Sequence, residues 1–317
     1  MRVWLGVDTS CYTTSLAAVD EDGGIAFDGR IPLEVPMGSR GLRQSEAVFR
    51  HLKALDGLLA RLRGAIGGAG IAGVAASVRP RPAEGSYLPV FVAGAMAARA
   101  LAVGADAPFL PTSHQEGHLR AALHGVSTPF ESFLAFHVSG GTTEILRAVR
   151  RRAGFDLEIL GGTEDLHAGQ FVDRLGVMMG LPFPAGPALE ELAARGRSEA
   201  IRLPVAVRGL RVSFSGPLSA AERALARGVP PEDLAAAALA CLSDSLVLLL
   251  RAAAAQTGLE TAVLAGGVTA NRRIRREIEA ALPGLRLVFA RPELATDNAV
   301  GAALLAFDST AGSDAHG

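Results

Sequence analysis

Apolar residues recur at helical spacing over residues 45–63, 91–103, 114–124, 169–180, 187–195, 217–227, 231–256, 270–281 and 297–307, which predicts nine helices. Shorter apolar runs between them predict strands. Residues 2–8 and 14–19 form one strand pair around the polar turn Asp8-Thr9-Ser10-Cys11-Tyr12-Thr13, and Gly23 and Gly24 turn the chain toward a third strand. Residues 133–138 and 143–149 repeat the arrangement around Ser139-Gly140-Gly141-Thr142. Two similar strand-turn-strand units in the two halves predict a duplicated α/β fold. Each turn is expected to present backbone N–H groups to a cleft between lobes, and concave nests of such groups bind phosphate.

A chain of 317 residues is too long for one ordinary core and suits two domains. The expected division is a first lobe over residues 1–126 and a second over 127–293 with a helical insertion. The helix at 297–307 is expected to pack back on the first lobe. The segment 309–317, rich in Gly, Ser and Asp, is expected to be disordered.

Composition removes several mechanisms. With 31 basic against 32 acidic residues the net charge is -1, so no whole-protein field attracts polyanions, and nucleic acid must be met by a local patch or a partner. Lys53 is the only lysine. A Walker A loop needs lysine directly after its glycine, so none can form here. Schiff-base chemistry would have to use Lys53, which falls on a helical pattern. Cys11 and Cys241 have no C-x-x-C spacing, which fits a reducing cytosol, and the start has no signal-peptide pattern. The most apolar stretch, residues 234–255, is interrupted by Ser243, Asp244 and Ser245, which predicts a buried helix and no membrane span.

The strongest chemical signal is His114-Gln115-Glu116-Gly117-His118, placed at a helix start. Histidines at i and i+4 share a helical face and can reach one cation, although spacing alone favours an ordinary core or surface pair. Zinc proteases place Glu directly after the first His or directly before the second. Glu116 is two residues from each and projects away from both, so its expected task is a capping box with Ser113. Asp297, in Thr296-Asp297-Asn298, is a candidate third ligand, although capping of the last helix by Thr296 or Asp297 is the simpler reading. Two imidazoles and one carboxylate would suit iron, zinc or manganese and leave positions open for substrate oxygens. The Gly266-Gly267 turn before Asn271 joins a strand end to a helix start, where an electron-rich group is favoured. Arg272, Arg273, Arg275 and Arg276 follow, either as an RNA-phosphate contact or as a solvated face.

Taken in order, these pieces resemble the tRNA threonylcarbamoyladenosine transferase family, also called O-sialoglycoprotein endopeptidases, along nearly the whole chain. The matching segments are Gly6 to Cys11, His114 to His118, Val138 to Gly141, Ala168 to Asp173 with Pro184-Ala185-Gly186, Ser213-Phe214-Ser215-Gly216, Gly266 to Asn271, and Thr296 to Asn298. The resemblance implies a two-lobed actin-like ATPase fold built from duplicated RNase H-like domains. It implies a metal on His114, His118 and Asp297, and catalytic roles for Asp8 and Ser10. It implies an adenine nucleotide, ATP or threonylcarbamoyl-adenylate, at Ser139, Gly140, Gly141, Asp173, Gly186, Gly266, Gly267 and Asn271, with magnesium as an accompanying ion. Its partners would be tRNA and either small proteins of the threonylcarbamoylation system or a second copy of the chain.

The chain departs from the family at three places. Tyr12 and Thr13 stand where members carry an acidic pair, Thr142 stands where they carry His, and Pro217-Leu218-Ser219 lacks their lysine. These departures predict weak transfer to tRNA by this chain alone. Two other classes stay open at this point: a nucleotide-binding regulatory paralogue, and a sugar-kinase-like phosphotransferase in which Asp8 helps hold a metal.

Overall fold

In a computed structural model, residues 1–10, 12–35, 42–126, 130–163 and 165–310 are described. Cys11 and the tail from 311 onward lie outside them. The strands are β1 (Arg2–Asp8), β2 (Thr13–Val19), β3 (Ile25–Pro32), β4 (Gly70–Arg79), β5 (Phe109–Ser113), β6 (Ser132–Val138), β7 (Thr143–Arg151), β8 (Gly154–Thr163), β9 (Ala206–Arg208), β10 (Arg211–Ser213), β11 (Thr261–Ala265) and β12 (Arg286–Phe289). The helices are α1 (Gln44–Ile66), α2 (Phe91–Gly104), α3 (His114–Ala122), α4 (Ala168–Met178), α5 (Gly186–Ala193), α6 (Ser215–Ala226), α7 (Pro231–Thr257), α8 (Arg272–Ala281), α9 (Pro292–Ala295) and α10 (Val300–Thr310).

The chain divides into two compact units. The first holds residues 1–128, 150–156 and 296–317, and the second holds 129–149 and 157–295. The sheet of the first unit runs β3-β2-β1-β4-β5, with β1, β4 and β5 parallel and β1, β2 and β3 successively antiparallel. The second sheet runs β12-β11-β6-β7-β8-β10-β9. Here β6 is antiparallel to β7 and parallel to β11, and β11 is parallel to β12. The order β8-β7-β6-β11-β12 therefore repeats β3-β2-β1-β4-β5, and the second sheet continues it with β10 and β9. This is the duplication that the two strand-turn-strand segments predicted.

The central strands β1, β2 and β6 are buried on both faces along nearly their whole length. Val3, Leu5 and Val7 of β1 pack with Leu55, Leu58 and Leu62 of α1 and Ala93 and Ala98 of α2, while α10 also packs on β1. In the second unit α7 is buried on most of its surface and carries Leu234, Leu239, Leu242, Leu246, Leu249 and Leu250 into the core. It is long and apolar enough to cross a membrane, but 83% of its most apolar window is buried in the protein. Gly258, left-handed at φ 71°, ends it.

Two boundaries differ from the expectation. The last helix starts at Val300 because Asn298 Oδ1 accepts from the N–H groups of Val300 (3.0 Å) and Gly301 (3.4 Å), so the cap is neither Thr296 nor Asp297. The helix then runs to Thr310, where Trp4 Nε1 donates to the Thr310 hydroxyl, so Ser309 and Thr310 are ordered helix and not tail.

Candidate metal centre and ligand loops

The helix α3 begins where Ser113 can cap it. Ser113 Oγ accepts from Glu116 N (3.2 Å) while the Glu116 carboxylate accepts from Ser113 N (3.0 Å), a reciprocal capping box worth roughly 0.5–2 kcal/mol. Glu116 also accepts from Phe155 N at 3.4 Å. With both carboxylate oxygens engaged, Glu116 is a structural group, as its position in the sequence predicted. The cap leaves His114 at the first helical position and His118 one turn later.

Their Nε2 atoms converge to 3.1 Å, and Asp297 Oδ1 lies 3.3 Å from His118 Nε2 and 3.6 Å from His114 Nε2. The three side chains offer ligand atoms that all lie within 4.8 Å of one another. Two imidazole nitrogens and a carboxylate oxygen facing one point form a donor set for a borderline transition metal, with further coordination positions left for water or substrate. The residues present fit such an ion.

Asp8, at the end of β1, supports this set from behind. His114 Nδ1 donates to Asp8 Oδ2 at 2.8 Å, and Ser10 N donates to Asp8 Oδ1 at 2.9 Å. That bond fixes the ring so that Nε2 faces the centre, the arrangement by which a carboxylate orients a ligating histidine. Burial pushes the Asp8 carboxyl up, but the His114 cation and neighbouring hydroxyls outweigh it and hold it well below the usual carboxylate range. For His114 burial lowers the pKa, and Asp8 overrides this and raises it to about 9. His118 moves the other way, because burial and then the charge of His114 lower it toward the neutral, ligating form. Asp8 is 2% exposed and Ser10 is fully buried.

Asp297 reaches the histidines because α10 packs tightly against α3. A Cβ on Gly301 would meet the carbonyl oxygen of Gly117 at 1.8 Å, so only glycine at this position lets the backbones approach. Gly117 itself lies between the two histidines. Nothing in residue spacing announces this pairing across 184 positions, and a glycine inside a helical pattern was the only signal.

The second unit holds the other expected residues. The Ser139 to Gly141 turn closes with Ser139 N donating to Thr142 O at 2.8 Å, and Gly169 N donates to Ser139 O at 3.1 Å. A Cβ on Gly169 would lie 2.7 Å from the Gly140 backbone, so glycine there seats the start of α4 on the turn. Gly266, with φ 99°, fits against Val138 O, and the ends of the parallel strands β6 and β11 thus place the Gly266-Gly267 turn beside the Ser139 turn. Such carboxyl ends of parallel strands are where open α/β sheets bind ligands.

Asp173, Gly186 and Asn271 are engaged differently. Ala185 N donates to Asp173 Oδ1 at 2.8 Å, which ties Asp173 to the start of α5 at Gly186. Burial raises the Asp173 carboxyl and that hydrogen bond opposes the rise. Asn271 Oδ1 accepts from Ile274 N at 3.0 Å as the cap of α8, leaving its amide N–H groups as donors. Along α8, Arg273 pairs with Glu277 at 2.7 Å, and Arg275 donates to the carbonyls of Thr269 and Ala290. Arg275 thus ties the helix to its surroundings, Arg273 pairs within the helix, and Arg272 and Arg276 are exposed.

One residue of the second unit was not foreseen. Asp165 accepts from the hydroxyls of Thr163, Ser213 and Ser215 and from the N–H of Phe214 (3.2 Å). Burial would raise its pKa, but these donors hold the carboxyl well below its usual range. It fastens the Ser213-Phe214-Ser215 segment ahead of α6 across about fifty residues of sequence, which pattern reading does not detect.

Comparison with known proteins gives these features a family. Residues 44–304 match the family model described as tRNA N6-adenosine threonylcarbamoyltransferase. The curated protein of that name from Methanopyrus kandleri is 33% identical over 301 residues, covering 93% of this chain and 84% of its own. The one from a Polaromonas species is 35% identical over 322 residues, covering 95% and 90%. Among solved structures, the activator of the 2-hydroxyisocaproyl-CoA dehydratase from Clostridium difficile with bound ADPNP superposes with TM-score 0.56 at 14% identity, over 99% of this chain and 98% of that one. A ROK family glucokinase from Streptomyces griseus with glucose and AMPPNP gives TM-score 0.52 at 15% identity, over 96% and 99%. At these identities the structures show the fold, which is that of the actin-like ATPases. Two relatives above 30% identity and a family model over most of the sequence carry the assignment: the chain belongs to the tRNA N6-adenosine threonylcarbamoyltransferase family, a family of transferases.

Proposed function

We propose that this chain moves the threonylcarbamoyl group from threonylcarbamoyl-adenylate to the exocyclic amine of the adenosine beside the tRNA anticodon. A C–N bond forms at the carbamoyl carbon as its bond to the phosphate oxygen breaks. AMP leaves with that electron pair, and the amine gives up a proton. The observation that carries the reading is the convergence of His114, His118 and Asp297 with Asp8 behind His114.

In this reading His114, His118 and Asp297 hold one iron, zinc or manganese ion. When bound, such an ion neutralises phosphate charge and polarises an oxygen of the substrate. Asp8 and Ser10, expected as catalytic groups, are buried, and in this reading they serve the reaction by positioning: Asp8 orients the His114 ring and Ser10 N–H holds Asp8. ATP or the adenylate, with magnesium beside a triphosphate, uses the Ser139 to Gly141 turn for phosphate oxygens and the Gly266 to Asn271 segment for the adenosine. Asp173 and Gly186 complete that loop set. The backbone N–H groups of such turns supply fixed donors without a lysine.

The acceptor and partners follow from what the chain lacks. Its net charge of -1 gives no general field for tRNA, so partner proteins are expected to share the load. Phe49 and Leu52 of α1 and Val92, Met96 and Val103 of α2 are exposed apolar side chains on two helices that pack together, a surface suited to a small protein partner or a second copy. The reaction is placed in the cytoplasm, with its substrate.

The test supplies unmodified tRNA, threonylcarbamoyl-adenylate and candidate partner proteins, and quantifies modified adenosine. Wild type should form it, and a His114→Ala, His118→Ala double variant should lose it together with the bound metal. Equal product from both would remove the metal centre from the reaction.

A further inference from the structure

The parallel strands β1, β4 and β5 end side by side, and each ends on a residue with a chemical task or next to one. Asp8 closes β1, Arg79 closes β4, and Ser113 closes β5 immediately before His114. Val7 pairs with Ala76, and Arg79 pairs with Ser113, so all three ends lie within two strand spacings, roughly 10 Å. Gln115 N donates to Pro80 O at 3.1 Å, which ties the residue after Arg79 to the first turn of α3. Asp8 and Ser113 are accounted for by the metal centre. Arg79 is not.

Arg79 is a cation whose Nε is buried and has no hydrogen-bond partner. Among the described residues no carboxylate pairs with it, although three stand near this strand edge. Asp8 is taken by His114 and Ser10 N, Asp297 by the two histidines, and Glu116 by Ser113 and Phe155 N. A guanidinium offers five N–H donors and no acceptor; Arg79 is partly exposed, and of its nitrogens Nε is the buried, unpartnered one, a donor that costs free energy while unpaired. Its planar fork matches the spacing of two oxygens on a phosphate.

We propose that Arg79 is an oxyanion-binding residue of this centre and receives phosphoryl oxygens of the small-molecule substrate presented to it. The proposal deepens the reading of the metal centre given above and rests on it. Arg79 then sets specificity for a phosphorylated ligand over the bare nucleoside, in a chain that has no P-loop lysine to do so. It also supplies positive charge beside the strand end that carries Asp8, which lowers the repulsion that an incoming phosphate would meet.

The experiment is calorimetric titration of the protein, as purified with its metal, against inorganic pyrophosphate, ATP and adenosine, for wild type, Arg79→Gln and Arg79→Lys. Metal content and thermal midpoint are measured alongside. Wild type should bind both pyrophosphate and ATP. Arg79→Gln should weaken both on the order of 10- to 100-fold with adenosine binding and metal content unchanged, since a charge-assisted bidentate contact is lost. Arg79→Lys should recover part of the loss. The same affinities for pyrophosphate and ATP in wild type and Arg79→Gln overturn the proposal while leaving nucleotide binding standing. Failure of wild type to bind either anion overturns it too. Arg79-dependent pyrophosphate binding by a protein that modifies no tRNA would keep the oxyanion site and remove the transferase reading.

Discussion

Asp8 Oδ2 accepts a hydrogen bond from His114 Nδ1 across 2.8 Å, and this contact decides which imidazole nitrogen is offered at the metal centre. The carboxylate is buried, and its other oxygen accepts from Ser10 N. Asp8→Asn keeps the shape and loses the charge. Metal affinity should fall by about 10- to 100-fold, the usual effect of removing a group that orients a ligating histidine. Competition with a chelator measures it, and an unchanged affinity would show that His114 is positioned by packing alone.

The same pair gives the metal-free protein a pH dependence. Burial lowers the His114 pKa, but Asp8 more than offsets this and raises it to about 9, so below that pH both ring nitrogens carry protons. A metal needs Nε2 free. Uptake at about pH 7.5 should therefore release roughly one proton, with affinity rising as pH increases and levelling off above the raised pKa. His118, held neutral, adds none. The dependence of calorimetric enthalpy on buffer ionisation reads the count, and Asp8→Asn should reduce it.

Gly301 is predicted to be irreplaceable for a steric reason. In Gly301→Ala the new Cβ would fall 1.8 Å from the Gly117 carbonyl oxygen, which belongs to helix backbone and cannot rotate away. The separation of α10 from α3 should cost about 1–3 kcal/mol or more and draw Asp297 away from the histidines. Thermal unfolding and metal analysis should both register the change. Gly57, with open space around its Cβ position, provides the control, where alanine should be neutral or stabilising.

Gly169→Ala tests the ligand turn in the second unit. Its Cβ would lie 2.7 Å from the Gly140 backbone, so the turn must shift to admit it. ATP affinity should fall by about tenfold or more, the equivalent of the 1–3 kcal/mol that overpacking costs, while metal content stays at the wild-type level. Loss of metal with ATP binding intact would reverse the assignment of the two sites.

What could be read in the chain beforehand follows interaction range. His114 and His118 were visible because i and i+4 residues share a helical face, and the Ser113–Glu116 box because its bonds span three positions. The repeated strand-turn-strand segments were visible because a strand pair is local. Asp297 stood as a candidate ligand that spacing ranked below a helix cap, the resemblance favoured the ligand, and the cap proved to be Asn298. The roles of Asp8 behind His114 and of Gly301 against Gly117 depend on sheet register and helix packing between distant segments. No local pattern encodes them. Asp165 was missed for the same reason, because its partners Ser213 and Ser215 are 48 and 50 residues away. Ser309 and Thr310 were assigned to a tail on composition, and the Trp4 contact overrides that preference.

The central claim is transfer to tRNA, and Tyr12 and Thr13 make the most direct test of it. A carboxylate near the attacking amine can take its proton, whereas a phenol hydroxyl and a threonine hydroxyl offer hydrogen bonds and no negative charge. General base help is typically worth about 100- to 10,000-fold, so this chain alone should transfer little, and partner proteins should be required. The measurement is mass-spectrometric quantification of threonylcarbamoyl-adenosine in tRNA incubated with threonylcarbamoyl-adenylate and partners, for wild type and for a Tyr12→Asp, Thr13→Glu variant. The account predicts modified adenosine from the wild type once the partners are present. Product from the variant and none from the wild type under the same conditions would contradict it and leave a nucleotide-binding protein that does not modify tRNA.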